Sequence, residues 1–140
     1  MTPSMTRCAE LLSACQPEMI DQLGDFYAED ATLIDPINHA TGLDQIKLVW
    51  EDLFKQLKDI HFDILRSEGG EQHAFFEWKM SYRFRGKDRS IPGVSHFIFS
   101  EAGLIQSQRD YWDASDVVYG EFPGLGLAIR GIRKMVRVSP

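Results

Sequence analysis

Residues 74–84 read AFFEWKMSYRF, and this segment decides the fold class predicted for the chain. Apolar residues alternate with mostly polar ones along it, which is the period-two pattern of a strand buried on one face. The apolar face carries Ala74, Phe76, Trp78, Met80, Tyr82 and Phe84. The segment therefore predicts an antiparallel sheet with an aromatic inner face and a mostly polar outer face.

The rest of the chain predicts more strands after this segment and helices before it. Turn signals (GG, GKDR and SEAG) separate the later apolar segments. The further predicted strands are 31–35, 61–67, 94–99 and 104–113, and the predicted helices are 4–15, 17–30 and 42–59. Helices followed by antiparallel strands indicate an α+β fold. One curved sheet wrapped over the helices would place the aromatic side chains around a shared cavity.

Size and charge limit the class of protein. A chain of 140 residues suits one domain with its own core. Its net charge of −6 argues against nucleic acid as a partner. The residues after Glu121 carry +4, which leaves −10 on the rest of the chain. The N-terminus lacks the apolar core of a signal peptide and no segment reaches transmembrane length, so we expect a cytoplasmic protein.

Asp35 ends a short apolar strand within ATLIDPINHATG (31–42) and is followed directly by Pro36. Ionised groups are usually avoided at such a position. One interpretation is structural, because an Asp-Pro pair ends strands and hydrogen-bonds its own loop. The other is functional, because a desolvated carboxylate at the mouth of an apolar pocket suits a general base. The residues alone leave both interpretations open.

The order helix, helix, strand, long helix and antiparallel meander resembles the nuclear transport factor 2-like superfamily. Its members include ketosteroid isomerases, SnoaL-like polyketide cyclases and limonene epoxide hydrolases. The segments FYAEDATLIDP (26–36) and VSHFIFSEAGLIQSQRDYW (94–112) carry the likeness, which extends over about residues 5–115. The resemblance implies a cone-shaped α+β barrel in a single SnoaL-like domain, 1–140, with a basic amphipathic extension at about 116–140. It also implies a catalytic base at Asp35.

Departures from these relatives limit the activity. The oxyanion-hole tyrosine and aspartic acid of ketosteroid isomerases fall at Leu11 and Ser95, and a supporting tyrosine falls at Trp50. A base without oxyanion donors loses what is usually the largest catalytic contribution, which argues against steroid isomerisation. The arginine and carboxylates of limonene epoxide hydrolases are also not reproduced, because the adjacent Arg109 and Asp110 point to opposite faces of a strand.

The resemblance turns the strand face that contains Asp110 inward. Asp35 and Asp110 are then two pocket carboxylates that act as acid and base, and a solvent-facing or salt-bridged Asp110 is the alternative. His96 is a third catalytic candidate. A gapless hairpin leaves it outside, whereas one extra residue in the turn would bring it near Asp110. The predicted pocket residues are Trp50, Phe76, Trp78, Tyr82, Ser95, Phe97, Gln108 and Trp112.

Two functions fit these residues. The first is isomerase- or cyclase-like proton transfer on a small apolar carbonyl compound, without a cofactor. The second is a non-catalytic dimeric domain that binds a ligand or a protein. No set of three or four metal ligands emerges. We expect a homodimer because the outer sheet face still carries Phe75 and Ile98. The apolar stripe of the C-terminal extension favours packing on its own domain or a sister subunit over contact with an anionic membrane.

Overall fold

The computed structural model describes residues 1–117 and 123–138. The helices are α1 (Pro3–Ser13), a 3₁₀ helix (Pro17–Asp25), α2 (Leu43–Gln56), α3 (Ala114–Val117) and α4 (Pro123–Val136). The strands are β1 (Tyr27–Ile34), β2 (His39–Thr41), β3 (Lys58–Gly69), β4 (His73–Phe84), β5 (Lys87–Phe99) and β6 (Ile105–Tyr111). The predicted extension at 116–140 therefore lies partly outside the described residues.

The six strands form one curved sheet in the order β2-β1-β6-β5-β4-β3. All neighbours are antiparallel except β1 and β6, which run parallel. Within the described part of the chain β2 and β3 are its two edges, so the sheet stays open and does not close into a barrel. The predicted α+β class with a curved, mostly antiparallel sheet is confirmed.

The boundaries around β1 differ from the prediction. The helix predicted over 17–30 ends as a 3₁₀ helix at Asp25, and β1 begins at Tyr27 rather than at residue 31. Tyr27 is paired with Ile105 of β6, and the other side of β1 is paired with β2, a strand the sequence did not indicate. Pairing of Tyr27 with β6 and of residues 32–34 with β2 supplies backbone hydrogen bonds that override the helical spacing of this segment.

Strand β4 shows the predicted alternation, because its inner residues are buried and most of its outer residues are exposed. The β4–β5 hairpin has a continuous register in which Trp78 lies opposite Gly93. A Cβ built on Gly93 would come within 2.2 Å of the Trp78 ring. The missing side chain at Gly93 therefore leaves the space that the Trp78 indole occupies.

Helix α1 covers one end of the inner face. Thr2 caps it by accepting a hydrogen bond from the Met5 N–H, and Cys8 and Leu11 are fully buried. Cys15 lies just beyond the helix, and both cysteines are free. Burial raises the pKa of the Cys8 and Cys15 thiols to about 12, so both act as small apolar core residues.

The outer face of the sheet keeps large apolar side chains in contact with solvent. Phe75 is 41% exposed and Ile98 is 44% exposed. Phe75 stacks on the His96 ring with the ring centroids 4.1 Å apart, and His96 Nε2 lies 3.0 Å from His73 Nδ1. These residues form an aromatic patch on neighbouring strands β4 and β5.

Helix α4 is joined to the end of β6 by Arg133, which donates to Asp113 and to Ser115. Its apolar side chains Ile132, Met135 and Val136 are exposed. The expected packing of this stripe, on the chain's own domain or on a sister subunit, stays a prediction. None of the helices within residues 1–117 and 123–138 has the length and apolar character needed to span a membrane.

We expect Gly93→Ala to destabilise the protein by about 1–3 kcal/mol, because the new methyl group overpacks against the Trp78 ring. The measurement is urea unfolding followed by tryptophan fluorescence. Gly70→Ala is the matched control, since a Cβ there meets no atom within 4 Å. Equal unfolding free energies for the two variants would contradict the close approach of Trp78 to Gly93.

Candidate functional site

A cavity of about 440 Å³ lies between the concave face of the sheet, helix α2 and the loop after β1. Its walls are mostly apolar, and they include side chains such as Leu33, Leu53, Phe62, Met80 and Ile91. This volume is within the range of small-molecule sites, and such sites combine apolar walls with a few placed polar groups.

Most residues predicted to form the pocket lie in this wall. They are Trp50, Trp78, Tyr82, Ser95, Gln108 and Trp112, together with Asp35 and Asp110. Phe76 and Phe97 are a correction, because neither borders the cavity. Both are 0% exposed, and their rings pack edge to face with centroids 5.6 Å apart in the core. Inward alternation correctly placed them on the inner face, but their part of that face is filled by protein.

Asp110 is the centre of a hydrogen-bond network in the cavity wall. Ser95 lies opposite it across the β5–β6 pair, and Ser95 Oγ donates to Asp110 Oδ1 at 2.6 Å. Gln108 Nε2 lies 3.0 Å from Oδ1 and 3.1 Å from Oδ2 of the same carboxylate. Behind Ser95, the Trp78 indole N–H donates to Ser95 Oγ at 2.9 Å. The polar groups around Asp110 are therefore arranged as donors.

A second arm of the network runs through Tyr27, a residue that the sequence analysis missed. The Tyr27 hydroxyl donates to Gln108 Oε1, and the Trp50 side chain lies beside the Tyr27 hydroxyl, where it lowers the pKa of the phenol. Burial and then the charge of Asp110 hold the pKa of the Tyr27 phenol well above its usual value, so it remains a donor. Tyr27 was missed because the helical spacing of residues 17–30 assigned it to a helix and not to a strand.

The directions of these hydrogen bonds follow from the groups at the two ends of the network, a donor that cannot accept and a carboxylate that only accepts. An indole N–H donates and cannot accept, so the Ser95 hydroxyl accepts from Trp78 and its own hydrogen is left for Asp110. The Tyr27 hydroxyl donates to Gln108 Oε1, which turns the Gln108 Nε2 donor toward the carboxylate. Asp110 is therefore held in one orientation by protein donors, as a positioned proton-transfer group requires.

Burial raises the pKa of Asp110 from 3.8 to about 6. The hydrogen bonds from Ser95 and Gln108 oppose this rise, and the charge of Asp35 adds to it. A desolvated carboxylate beside a second carboxylate has this behaviour because its charged form loses hydration and is repelled. Asp110 is ionised at neutral pH but accepts a proton readily, which suits acid–base chemistry.

Asp35 also borders the cavity, but its carboxylate is engaged in a local turn. Oδ1 accepts from the Ile37 N–H at 2.7 Å and the Asn38 N–H at 2.6 Å, and Oδ2 accepts from Asn38 Nδ2 at 3.1 Å. This is the hydrogen-bonded loop of the structural interpretation. Because β1 and β6 are parallel, Asp35 follows β1 at the same end of these two strands where Asp110 lies. The charge of Asp35 acts on Asp110.

His96 is a correction to the predicted catalytic set. Ser95 is the residue opposite Asp110, so His96 is paired with Arg109 and points to the outer face, and the one register shift of this hairpin lies nearer the turn, between Ile98 and Phe99. There it lies beside His73, and its pKa is lowered by partial burial and then by that histidine. His96 therefore has no access to the cavity.

The described part of the cavity wall contains neither the oxyanion hole of the ketosteroid isomerases nor the arginine with two carboxylates of the limonene epoxide hydrolases. Leu11 is fully buried, and Ser95 gives its hydroxyl hydrogen to Asp110. Arg109 lies on the outer face with its guanidinium over Tyr111, so it does not accompany Asp110 into the cavity. Across residues 1–117 and 123–138, no group of three histidine, cysteine or acidic side chains is placed to hold a metal ion.

Comparisons with known proteins agree with this architecture. The sequence profile of the SnoaL-like domain family matches residues 9–108. A ketosteroid isomerase-like protein from Catenulispora acidiphila, solved with trimethylamine, is 20% identical with a TM-score of 0.73. A SnoaL-like polyketide cyclase structure from Jannaschia is 14% identical with the same TM-score. Each of these two alignments covers 84% of this chain and 92% of the other chain.

An LEH-like epoxide hydrolase from M. tuberculosis is 16% identical with a TM-score of 0.69, over 91% of this chain and 96% of that one. At these identities the likeness establishes the fold and no activity. No protein of curated function matches the sequence.

We expect Asp110→Asn to be more stable than the parent protein above about pH 6, by on the order of 2 kcal/mol. The pKa of Asp110 is raised in the folded state, so its stabilising contribution is present below about pH 4, the unfolded value, and is lost as the pH rises through about 6. Thermal melts from about pH 4 to pH 8 measure the difference. Asp21→Asn, at an exposed site away from the cavity, is the control. Parallel curves for Asp110→Asn and the parent protein would contradict the raised pKa.

Proposed function

Because the chain belongs to the family of SnoaL-like domains, we propose that it binds a small, mostly apolar carbonyl compound in the cavity and that Asp110 moves a proton on it. The observation that carries this proposal is the state of Asp110. Its carboxylate is fixed by Ser95 and Gln108 in an otherwise apolar wall, and its pKa of about 6 is close to neutral.

The proposed reaction begins with ionised Asp110 as a general base. It removes a proton from a carbon next to the carbonyl group, the C–H electron pair forms an enolate, and the carboxylate becomes a carboxylic acid. Return of the proton to another carbon gives an isomerase. Alternatively, the enolate carbon attacks a second carbonyl group of the ligand, a C–C bond forms, and the resulting alkoxide takes the proton back from Asp110, which gives a cyclase. Asp35 contributes its charge, which strengthens Asp110 as a base.

The hydrogen-bond network limits the carbonyl compounds that fit this reaction. The donors of Ser95 and Gln108 point at Asp110 and are not placed to stabilise an enolate oxygen. Without oxyanion stabilisation the base needs a substrate whose C–H is already acidic, such as a carbon flanked by a carbonyl group and a second activating group. This requirement also argues against steroid isomerisation by the mechanism of the ketosteroid isomerases.

A second candidate function is ligand binding without a reaction. The lack of oxyanion donors at Leu11 and Ser95 favours it, and the relative from Catenulispora acidiphila gives a precedent for a small organic molecule in a structure of this fold. The two functions share the cavity and its apolar ligand. They differ only in whether Asp110 exchanges a proton with the ligand.

We also propose that the protein is a homodimer that pairs through the aromatic patch of Phe75, Ile98 and His96. Light scattering is expected to give about twice the chain mass of 16.0 kDa at micromolar concentration. Phe75→Glu should give a monomer, because a charge placed in an apolar interface is desolvated without a partner. Leu48→Glu is the control, since Leu48 is equally apolar and exposed but lies on α2. A monomeric parent protein would refute the dimer.

To test proton transfer, deuterium incorporation into 2-tetralone, whose α-carbon is activated by the ring and the carbonyl group, is followed by NMR in D₂O. We expect Asp110→Asn to lower the protein-dependent rate by about 100-fold or more. Asp35→Asn should keep the turn, because its amide oxygen still accepts from Ile37 and Asn38. It removes a charge that raises the pKa of Asp110, so the rise of rate with pH should move to lower pH.

The two variants separate the proposed roles. Equal rates for Asp110→Asn and the parent protein would refute Asp110 as the base. A shift to higher pH for Asp35→Asn would contradict the coupling between the two carboxylates. Quenching of tryptophan fluorescence by 2-tetralone, without protein-dependent exchange, would leave the binding function and exclude proton transfer on this ketone.

A further inference from the structure

We propose that the cavity selects an organic cation, an apolar molecule that carries a quaternary or protonated tertiary ammonium group. The inference rests on the proposed ligand-binding role of the cavity but not on the proton transfer. It follows from two properties of the wall: the excess of carboxylates over cationic groups, and the concentration of tryptophan around the buried carboxylate.

Among the residues that the structure describes, three carboxylates border the cavity, those of Asp35, Asp52 and Asp110, against one cationic side chain, Arg85. The formal charge of the wall is therefore −2 when all are ionised. Arg85 is exposed in the β4–β5 turn, where its guanidinium lies over the Phe84 ring, so it is solvated at the rim. Asp110 is instead half-buried in the mostly apolar wall, where its negative charge is less screened than at the rim and attracts a cation more strongly.

The aromatic side chains supply the second property. The chain has three tryptophans, and Trp50, Trp78 and Trp112 all border this cavity. Trp78 is linked to Asp110 through Ser95, and Trp50 is linked to it through Tyr27 and Gln108. Tryptophan is the best aromatic partner for a cation, and aromatic groups near a carboxylate recognise alkylammonium ions. The same walls suit the apolar part of the ligand.

The wall does not suit a metal cation. Mg²⁺ and Ca²⁺ need several oxygen ligands around one point, and among the described residues no such three-residue group is found. Two of the three carboxylates are also committed, since Asp35 accepts from its own loop and Asp110 from Ser95 and Gln108. An alkylammonium ion does not need oxygen ligands arranged around one point, because it is bound by charge attraction and by contact with aromatic rings.

The experiment compares two ligands of nearly the same shape, phenyltrimethylammonium and its neutral isostere tert-butylbenzene, by NMR titration of the full chain. We expect the cation to bind the parent protein about tenfold more tightly at neutral pH. Asp110→Asn should remove most of this preference, measured as the ratio of the two affinities in the same variant. Asp52→Asn at the rim should have a smaller effect in the same direction, and Asp21→Asn outside the cavity should have none.

The preference should also depend on pH, because Asp110 loses its charge as it is protonated. Asp35, from the loop after β1, is the charged group that acts on it, and the neutral Ser95 and Gln108 donate to it; Asp52 from α2 and Arg85 from the turn border the same cavity. Cation affinity should fall several-fold between about pH 7.5 and pH 5, whereas that of tert-butylbenzene should not.

Equal or tighter binding of tert-butylbenzene, or a cation preference that survives in Asp110→Asn, would overturn the inference. Neither result depends on deuterium exchange into 2-tetralone. Exchange without a cation preference refutes only this inference, and a cation preference without exchange refutes only the proton transfer.

Discussion

The hydrogen bond from Ser95 to Asp110 joins the fold to the site. It is made across the β5–β6 pair and requires the register in which these two residues are opposite each other. The same register turns His96 outward and Gln108 inward, and the β4–β5 pair then sets Trp78 against Gly93 and within reach of Ser95. A slip of one residue would exchange the two faces and leave the carboxylate without its donors.

The sequence predicted the fold well where one physical signal dominated. Strand β4 was recognised because a half-buried strand in a meander must alternate, and residues 74–84 do so without interruption. Strand β1 was only partly recognised, because its pairing with β6 comes from the far end of the chain and leaves no local pattern. Tyr27, at the start of this strand, was therefore not identified as part of the site. The role expected of Asp35 is better matched by Asp110, since adjacency to proline shows a turn but not how buried a carboxylate is.

The network around Asp110 explains how a charge is kept in an apolar wall. Ionised carboxylates are costly to bury unless donors replace their hydration. Here Ser95 and Gln108 replace part of it, and the Trp78 indole behind Ser95 and the Tyr27 hydroxyl behind Gln108 hold these donors in place. The compensation is incomplete, as the raised pKa shows. This incomplete compensation raises the pKa of Asp110 into the range that the proposed proton transfer needs. A carboxylate whose hydration was fully replaced by donors would not accept a proton near neutral pH.

The parallel pairing of β1 with β6 also has a consequence for folding. Asp35 and Asp110 are separated in sequence by α2 and by strands β3 to β5, and they meet only when the chain closes this long loop. Closing long loops is entropically costly and belongs to the slow part of assembly. The repulsion between the two carboxylates therefore appears together with the cavity, and partly folded forms that lack the β1–β6 pairing are free of it. The repulsion between Asp35 and Asp110 therefore lowers the stability of the folded protein only once the β1–β6 pairing has formed.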